Sequence, residues 1–435
     1  DADLAGAMGV LDAGDEMGGA GRTQLATFIE DHETNIWGAT AIGDAVQASQ
    51  SLLNDSSGYD FEAMCVLTDG NETASLYLDE LDPDELHSRI YAIGVGTPEN
   101  INPSALATIA GSNDGYLLMT GNITANDTFL LTKYFQQILA GVTNTEITVD
   151  PQGWLTPGQT LRLPFPVNET DRQVDAIVHC QYPWLLRFEI ESPDGQVFGP
   201  AQASVPEARY VVGAGSAYYR LDIPSTVVGP QDPARPWYAL ISLDDKRWFD
   251  MLSKVRDPRR NSAVAGAAVN GMRYAFTAQA RSALRMDVKV TQNSLEPGAT
   301  ALISATILEY GYPLTAPARV WAVVTDPQGT ARDVPLQPAG NSVYQASLTA
   351  GLTGAWRVTV HAQGQTSIKS PFTRETIRTI AVWPGGDRPV RRPPHHDCRG
   401  WFCCLCPCWR RFLSCLRRRK KLKQFRPRRA ARQTP

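Results

Sequence analysis

Apolar residues between Thr40 and about Val142 alternate between a helical period and a strand period. The segments 62–68 and 89–96 are nearly continuous apolar runs, which is the pattern of strands that are buried on both faces. Such runs separated by helices predict a parallel sheet covered by helices on both sides. The predicted elements are helices at 42–54, 84–86, 104–110 and 128–139 and strands at 62–68, 89–96 and 115–119.

After Thr143 the apolar period changes to two, which indicates strands with one buried face. Turn signals such as Pro157-Gly158 separate these short strands, and their spacing predicts a β-sandwich over residues 143–283. Residues 244–271 are polar and rich in Gly and Ala, so we predict a loop insertion there. Strands are predicted at 161–167, 173–179, 185–191, 209–213, 217–222, 237–242 and 272–280.

A third unit is predicted over residues 284–383. Val288 and Val290 begin a new alternation, and turns at Pro297-Gly298 and Pro327-Gln328-Gly329 punctuate it. This pattern indicates a second sandwich, which we predict to be Ig-like. Residues 384–435 form a basic tail rich in cysteine and aromatic residues.

Two short segments carry candidate chemistry. Thr40 stands in a small-residue turn at the start of a predicted helix, and Asp69 directly follows the predicted strand 62–68. Because ligands of parallel sheets bind outside the carboxyl ends of the strands, the two residues are expected to meet there. A hydroxyl and a carboxylate are hard oxygen donors that suit a divalent cation. Structural alternatives stay open, since Thr40 also fits a helix N-cap and Asp69 an Asp-Gly turn.

The same segments resemble the von Willebrand factor type A family. Residues 37–46, WGATAIGDAV, are similar to its G-x-T-x-x-G loop, and residues 61–75, FEAMCVLTDGNETAS, to its strand that ends in T-D-G. The resemblance implies a doubly wound α/β fold in which the Thr40 hydroxyl binds Mg²⁺ directly and Asp69 binds it through water. An acidic residue of a protein ligand completes the metal shell in this family. The implied rim of the metal loop comprises Gly38, Gly43, Gly70, Asn71 and Glu72.

The family's principal metal loop, Asp-x-Ser-x-Ser, does not occur in residues 1–36. In the family this loop lies far upstream of the Thr loop, whereas only 39 residues precede Thr40 here. We therefore expect residues 1–142 to be a type A domain that lacks its first strands and part of its metal site. Such a half-site is expected to bind Mg²⁺ weakly or not at all, because the ion needs several oxygen ligands.

The order of the three units is similar to the downstream half of the calcium-activated chloride channel regulator family. The segments 184–195, WLLRFEIESPDG, and 313–329 carry this likeness, whereas the H-E-x-x-H motif of that family's protease-like domain is absent. The two resemblances imply a non-enzymatic, adhesion-type protein that binds a protein ligand outside the cell or at its surface. The alternative function is that of a regulator or accessory subunit of a membrane protein. Neither a G-x-S-x-G elbow nor a Gly-rich phosphate loop indicates catalysis.

Charge divides the chain into an acidic body and a basic tail. Residues 387–435 hold 16 of the 41 Lys and Arg residues and two of the 45 acids, a net charge of +14, whereas the body carries −18. Nucleic acid is not expected as a partner of the acidic body, because phosphate binding needs a basic face. Only Cys65 and Cys180 lie in the body, so it is not a disulfide scaffold.

The tail permits three interpretations. Aromatic residues and cysteines beside the basic run 417–421 are typical of an anchor on an anionic membrane surface. A zinc site could instead use Cys403, Cys406 and His395, although a second C-x-x-C pair is absent. A disordered basic tail or a wrong-frame translation is the third possibility. The candidate membrane residues are Trp401, Cys403, Cys404, Cys406, Cys408, Trp409 and Cys415.

A peptide of residues 387–435 distinguishes these interpretations. If it anchors, it binds anionic vesicles, with about 1 kcal/mol contributed by each basic residue near the surface. Added salt should weaken this binding in part, and replacing Trp401, Phe402, Trp409 and Phe412 by serine should weaken it further. Zinc coordination predicts structure that a chelator removes and no vesicle dependence. A peptide that ignores anionic vesicles at low salt under reducing conditions would exclude the anchor.

Overall fold

Strands dominate the structure of this chain, which is a computed structural model. The residues described are 40–54, 62–69, 71–74, 76–101, 103–111, 114–124, 127, 129–205, 208–213, 215–223, 235–254 and 270–386, with Thr27 alone before them. Helices are concentrated in the first part of the described chain, and antiparallel sheets form the remainder. The multi-sheet, sandwich-rich architecture predicted from the sequence is therefore confirmed.

The first part alternates helices and strands. Its elements are α1 (Ile42–Asn54), β1 (Ala63–Thr68), 3-10 helices at Leu78–Glu80 and Pro83–Glu85, β2 (Arg89–Gly94), a 3-10 helix at Pro98–Asn100, α2 (Pro103–Gly111), β3 (Tyr116–Met119) and α3 (Leu130–Thr143). The last helix extends beyond its predicted end, and Asn144 closes it in a left-handed conformation at φ 54°.

Strands β1, β2 and β3 form a parallel sheet in that order. Alternate side chains of β2 pack in two different hydrophobic cores, one on each face of the sheet. Its sequence is an unbroken apolar run for this reason. Ile90 packs with α1 and α2 on one face of the sheet, and Ile93 packs with α3 on the other. The described sheet has three strands, so the complete doubly wound type A fold stays a prediction.

The second part is a sandwich of two antiparallel sheets. Its strands are β4 (Glu146–Val149), β5 (Gln152–Leu155), β6 (Thr160–Phe165), β7 (Asp171–Cys180), β8 (Leu186–Glu191), β9 (Val197–Phe198), β10 (Ser204–Val205), β11 (Ala208–Val212), β12 (Ser216–Asp222), β13 (Trp237–Leu243) and β14 (Met272–Ser282), with a 3-10 helix at Pro183–Leu185. One sheet has the order β10-β11-β12-β7-β14-β4, with β5 also on β14, and the other has the order β6-β13-β8-β9. Aromatic side chains fill the space between the two sheets. The ring centres of Phe188 and Tyr219, for example, lie 4.9 Å apart in an edge-to-face arrangement.

The prediction that residues 244–271 form a loop is wrong for its first part. Helix α4 (Asp245–Lys254) lies there, and Arg247 donates its backbone N–H to the Asp244 carboxylate at the start of the helix. Trp248 is only 1% exposed and belongs to the sandwich core. Trp248, Met251 and Leu252 have the spacing of one helix face, and the polar residues between them obscured it. Residues 255–269 lie outside the described part.

The third part is a second sandwich. Its strands are β15 (Leu284–Gln292), β16 (Ala299–Glu309), β17 (Tyr312–Pro313), β18 (Ala318–Thr325), β19 (Ala331–Pro335), β20 (Gln337–Gly340), β21 (Val343–Ala350), β22 (Gly354–Gln365) and β23 (Pro371–Val382). One sheet has the order β15-β16-β21-β20, with β17 on β16, and the other has the order β19-β18-β22-β23. The predicted turns are present, with Gly298 and Gly329 at φ 94° and 88°.

Strand β23 connects all three parts. Among the described residues its backbone pairs with β22 alone, and residues of the α/β part and of the first sandwich contact its second edge. Ile377 donates its N–H to Oε1 of Gln137 on α3 at 2.8 Å, and Met119 at the end of β3 donates its N–H to Oγ1 of Thr379 at 2.9 Å. The first bond satisfies a backbone donor of the second edge of β23, and the second bond joins a side chain of β23 to the parallel sheet.

Arg374 on β23 is buried at the boundary of the two sandwiches. Its guanidinium lies 3.4 Å from the Asp171 carboxylate, and both side chains are 0% exposed. The same group donates to the carbonyl oxygen of Leu284 at 3.1 Å and to Oγ of Ser282 at 2.8 Å. A buried ion pair is stabilising only when its remaining donors and acceptors are also satisfied, as they are here.

Replacing Arg374 by methionine should therefore be severely destabilising. The substitution leaves the Asp171 carboxylate buried without its cation, and we expect a loss of about 3–5 kcal/mol in the free energy of unfolding, measured by urea denaturation. The double variant Arg374→Met/Asp171→Asn should recover part of this loss. As a control, Arg162→Met removes the exposed ion pair with Glu191. This variant should leave the midpoint of urea denaturation nearly unchanged. Equal effects of the two single variants would contradict the assigned role of Arg374.

Candidate functional site

The structure brings together the two segments that contain Thr40 and Asp69. Thr40 donates its backbone N–H to Oγ1 of Thr73 at 2.7 Å. The carbonyl oxygen of Thr40 accepts the N–H groups of Thr73 and Ala74 at 2.8 and 3.2 Å. Three hydrogen bonds thus join the loop before α1 to the loop after β1.

The joined loops lie at the carboxyl end of the parallel sheet. Asp69 follows the last residue of β1, and the carbonyl oxygen of Thr68 accepts the N–H of Val95 just beyond β2 at 2.7 Å. Thr40 lies two residues before the first residue of α1. This edge of a parallel sheet is the usual position of ligand sites in α/β folds.

Three side chains at this edge offer oxygen atoms that the described residues leave without a hydrogen-bond partner. The Asp69 carboxylate is exposed, and the Thr40 hydroxyl makes no hydrogen bond within the described part of the chain. The side-chain oxygen of Asn71 is buried and also lacks a partner there. A buried hydrogen-bond acceptor without a donor destabilises the protein. A metal ion, which accepts an electron pair from oxygen, would therefore suit the Asn71 side-chain oxygen.

Glu72 has a structural role that the sequence did not reveal. Its carboxylate accepts the N–H of Gly43 in the first turn of α1 at 3.0 Å and the N–H of Leu78 at 2.9 Å. Burial raises the pKa of Glu72, and these two backbone hydrogen bonds lower it in part. Glu72 therefore caps α1 from a distant loop, and its predicted position on the metal rim stays a prediction.

Gly43 is required by a close approach of two backbone segments. A Cβ atom at this position would lie 2.5 Å from the carbonyl oxygen of Leu76 and 2.7 Å from the carbonyl carbon of Tyr77. A side chain would push the loop 71–78 away from α1 and would break the contact with Glu72. The structure thus gives Gly43 a steric function at the position where the sequence predicted a rim residue.

Several predicted residues lie outside the described part of the chain. They are Gly38 and Gly70 of the metal rim and Trp401, Cys403, Cys404, Cys406, Cys408, Trp409 and Cys415 of the tail. Where the structure describes the chain, no three His, Cys, Asp or Glu side chains are grouped to hold a metal ion. Among the same residues, no helix has the length and apolar character needed to cross a bilayer.

A second concave feature lies between the α/β part and the second sandwich. It is a cleft of about 870 Å³ whose walls include α2, β15 and Arg378 of β23. The sequence gives no signal for this cleft, because its walls come from segments that are far apart in the chain and no local motif marks them.

No family model and no curated protein matches this chain. Solved structures show only distant likeness. A DUF4785 family protein from Legionella pneumophila is 11% identical with a TM-score of 0.33, and the match covers 55% of this chain and 65% of that one. A Bacillus licheniformis lipase in its propeptide form is 14% identical with a TM-score of 0.30, over 71% of this chain and 64% of that one. The chain therefore spans just under two thirds of either neighbour, and the low TM-scores support no functional argument.

The steric role of Gly43 can be tested by unfolding measurements. Gly43→Ala should lower the free energy of unfolding by about 1–3 kcal/mol, because the added methyl overlaps backbone atoms that cannot rotate away. Gly111→Ala is the matched control, because a Cβ atom at this helical glycine would have no neighbouring atom within 4 Å. The control should be neutral or stabilising by up to about 1 kcal/mol, since alanine favours the helix. Equal stability of the two variants would show that the α1 contact tolerates a side chain.

Proposed function

We propose that this chain is a non-enzymatic binding protein of the cell surface or the extracellular space. In this proposal a divalent-metal site on a von Willebrand type A module binds a protein ligand. The observation that carries the proposal is the set of oxygen donors at the sheet edge. Thr40, Asp69 and Asn71 lie on two loops that are hydrogen-bonded to each other, and none of their side-chain oxygens has a partner in the described chain.

These residues fit a hard divalent cation. Hydroxyl, carboxylate and amide oxygens are the ligand types that Mg²⁺ and Ca²⁺ accept, and Mg²⁺ retains several waters where protein ligands are few. Thr40, Asp69 and Asn71 would hold the ion. When bound, the ion supplies a positive centre for a carboxylate of the protein ligand. The Glu72 cap holds the two loops in place, so their oxygens need little rearrangement on binding.

The charge of the body supports a metal-dependent mode of binding. Residues 1–386 carry a net charge of −18, which repels an acidic ligand over the whole surface. A divalent cation bound at Asp69 would make the surface around it positively charged. An acidic residue of a partner would then be favoured at this site and disfavoured elsewhere, which gives specificity.

An accessory role on a membrane protein is the alternative function. It rests on the likeness of the module order to the channel regulators, and the described contacts favour it no more than they favour adhesion. Both functions use the same binding surface, so the metal site is the first property to test.

Metal binding should depend on Thr40 and Asp69. We expect the chain to bind Mn²⁺, measured by electron paramagnetic resonance, with a dissociation constant near about 1 mM, because few protein oxygens contribute. Asp69→Asn and Thr40→Ala should each weaken binding at least about tenfold, which corresponds to about 1.4 kcal/mol. Asp84→Asn, the removal of another exposed carboxylate from the same part of the protein, should leave Mn²⁺ binding unchanged.

The ligand half of the proposal is tested by linkage. If a carboxylate of the ligand completes the metal shell, acetate should increase the Mn²⁺ affinity of the wild-type chain. The increase should be larger than the one that acetate causes in the Asp69→Asn variant. Affinity that is unchanged by both Asp69→Asn and Thr40→Ala would place the metal elsewhere. Micromolar affinity in the wild type would contradict the expected half-site, and an absence of acetate linkage would contradict a carboxylate ligand.

A further inference from the structure

Two tight turns at one end of the second sandwich form an exposed apolar surface, which we call the tyrosine tip. It consists of Tyr310 and Tyr312 in the hairpin between β16 and β17 and of Ile368 and Lys369 in the turn between β22 and β23. Within the described chain, Tyr312, Ile368 and Tyr310 are the three most exposed large apolar side chains, at 76%, 69% and 60%. Exposed apolar residues are normally scattered singly, and a group of them marks a binding surface.

A buried carboxylate joins the two turns of the tip. Glu309 is 8% exposed, and it accepts the backbone N–H of Ser367 at 3.2 Å and the Ser367 hydroxyl. The second turn also closes on itself. Thr366 donates its N–H to the carbonyl oxygen of Ser370 at 2.8 Å, and its own carbonyl oxygen accepts the N–H of Lys369 at 2.9 Å. These bonds hold the two turns in one arrangement while their apolar side chains face outward.

Tyr310 has a backbone conformation that is unfavourable for a bulky residue. The hairpin is a two-residue turn in which Tyr310 and Gly311 have φ values of 53° and 83°. Asparagine, aspartate or glycine is the usual residue at the first position of such a turn, because larger side chains crowd the backbone there. Within the described residues, no hydrogen bond or ring contact of the Tyr310 side chain offsets this strain. Strained residues of this kind are concentrated at functional sites.

The charge of the tip differs from that of the acidic body. Lys369 is exposed, whereas Glu309, the one carboxylate of the two turns, is buried and hydrogen-bonded. Ala283 connects the tip to the first sandwich: its carbonyl oxygen accepts the N–H of Tyr310 at 2.9 Å, and its N–H donates to Thr170 at 3.0 Å. The exposed charged residues within two positions of this connection are Arg172, Arg281, Arg285 and Glu169. The tip is therefore locally positive on a body of −18.

An anionic bilayer surface suits this combination of shape and chemistry. The apolar side chains project from turns, so the surface is convex, and a protein partner would need a matching pocket for it. A bilayer instead yields around protruding side chains. Tyrosine is favoured at the headgroup level, where its ring lies against apolar chains and its hydroxyl stays hydrated. A lysine beside it is attracted to anionic lipids.

From these observations we infer that the tyrosine tip binds the interface of an anionic lipid bilayer. Tyr310 and Tyr312 lie among the headgroups, Ile368 reaches the boundary of the acyl chains, and Lys369 contacts an anionic headgroup. This contact uses none of the residues of the proposed metal site. It is also separate from the anchor predicted for the tail, so the inference does not depend on either of them.

The test measures sedimentation of the full chain with vesicles of phosphatidylcholine and phosphatidylserine in a ratio of about 7:3. Tyr312→Ser should lower the partition coefficient at least about threefold, and Tyr312→Ser/Ile368→Ser about tenfold, because each change removes an apolar side chain from the interface. Phe249→Ser is the matched control, since it removes an aromatic side chain of 58% exposure from α4. The control should leave vesicle binding unchanged. All these chains have the same tail, so the ratio of their partition coefficients reports on the tip.

Tyr310→Asn should change stability and vesicle binding in opposite directions. Asparagine tolerates the left-handed conformation better than tyrosine, so the thermal midpoint should stay the same or rise. The partition coefficient should nevertheless fall at least about threefold, because the tyrosine ring is lost. A lower midpoint together with unchanged vesicle binding would show that Tyr310 is a structural residue, and the inference would then fail.

Lys369→Gln tests the charge of the tip. This variant should lose part of the preference for vesicles that contain phosphatidylserine over vesicles of phosphatidylcholine alone. Asp69→Asn, a change in the proposed metal site, should leave vesicle binding unchanged. A failure of the metal proposal is thereby distinguished from a failure of this one.

Two further results would overturn the inference. Equal partition coefficients of the wild-type chain and Tyr312→Ser/Ile368→Ser, or no binding of the wild-type chain up to about 1 mM lipid, would exclude the tip as a membrane contact. A dimer that forms without lipid in analytical ultracentrifugation, and that the same double variant abolishes, would assign the tip to a second copy of the chain instead.

Discussion

The covered second edge of β23 is the contact on which the arrangement of this molecule depends. An open strand edge exposes backbone donors and acceptors, and here the Gln137 side chain of α3 accepts the N–H of Ile377. The hydroxyl of Thr379 accepts the N–H of Met119 of β3, and the hydroxyl of Thr373 donates to the carbonyl oxygen of Thr148 on β4. Arg374 and Asp171 are removed from water at the same boundary, which is favourable only when every neighbouring partner is present. The described parts therefore stabilise one another, and their contacts group them into one compact unit.

The framework leaves the carboxyl end of the parallel sheet open and closes the edge of β15. At the sheet edge, Glu72 uses its carboxylate to hold the loops together, so Thr40, Asp69 and Asn71 remain available for a ligand. Along β15, Arg374 and Arg378 of β23 donate to the carbonyl oxygens of Leu284 and Val288, and Val288 is only 1% exposed. The unpaired oxygens at the carboxyl end of the parallel sheet are therefore the groups that indicate binding.

Local pattern was sufficient for elements with a long or repeated signal. Strand β2 was predictable because both of its faces are buried, which requires the unbroken apolar run at 89–96. The run at 62–68 also predicted a strand correctly, but its burial on both faces was wrong for the described structure, because Cys65 and Leu67 on one face of β1 are exposed. The sandwiches were predictable from their period of two and from turns such as Pro297-Gly298. Helix α4 was missed, because a single buried face marked by Trp248 is a weak signal within a polar segment. The resemblance placed Thr40 and Asp69 at one site, and the structure joins their loops.

By itself the sequence determined the order of most helices and strands, the change from α/β to antiparallel β near Thr143, and the separation of the acidic body from the basic tail. Those properties depend on residues that are neighbours in the chain. Tertiary structure alone decided that Glu72 caps α1, that Arg374 pairs with Asp171 and that side chains of β23 reach the edge of β15. Each of these depends on groups that are distant in sequence, and their energies arise only when folding removes water from between them.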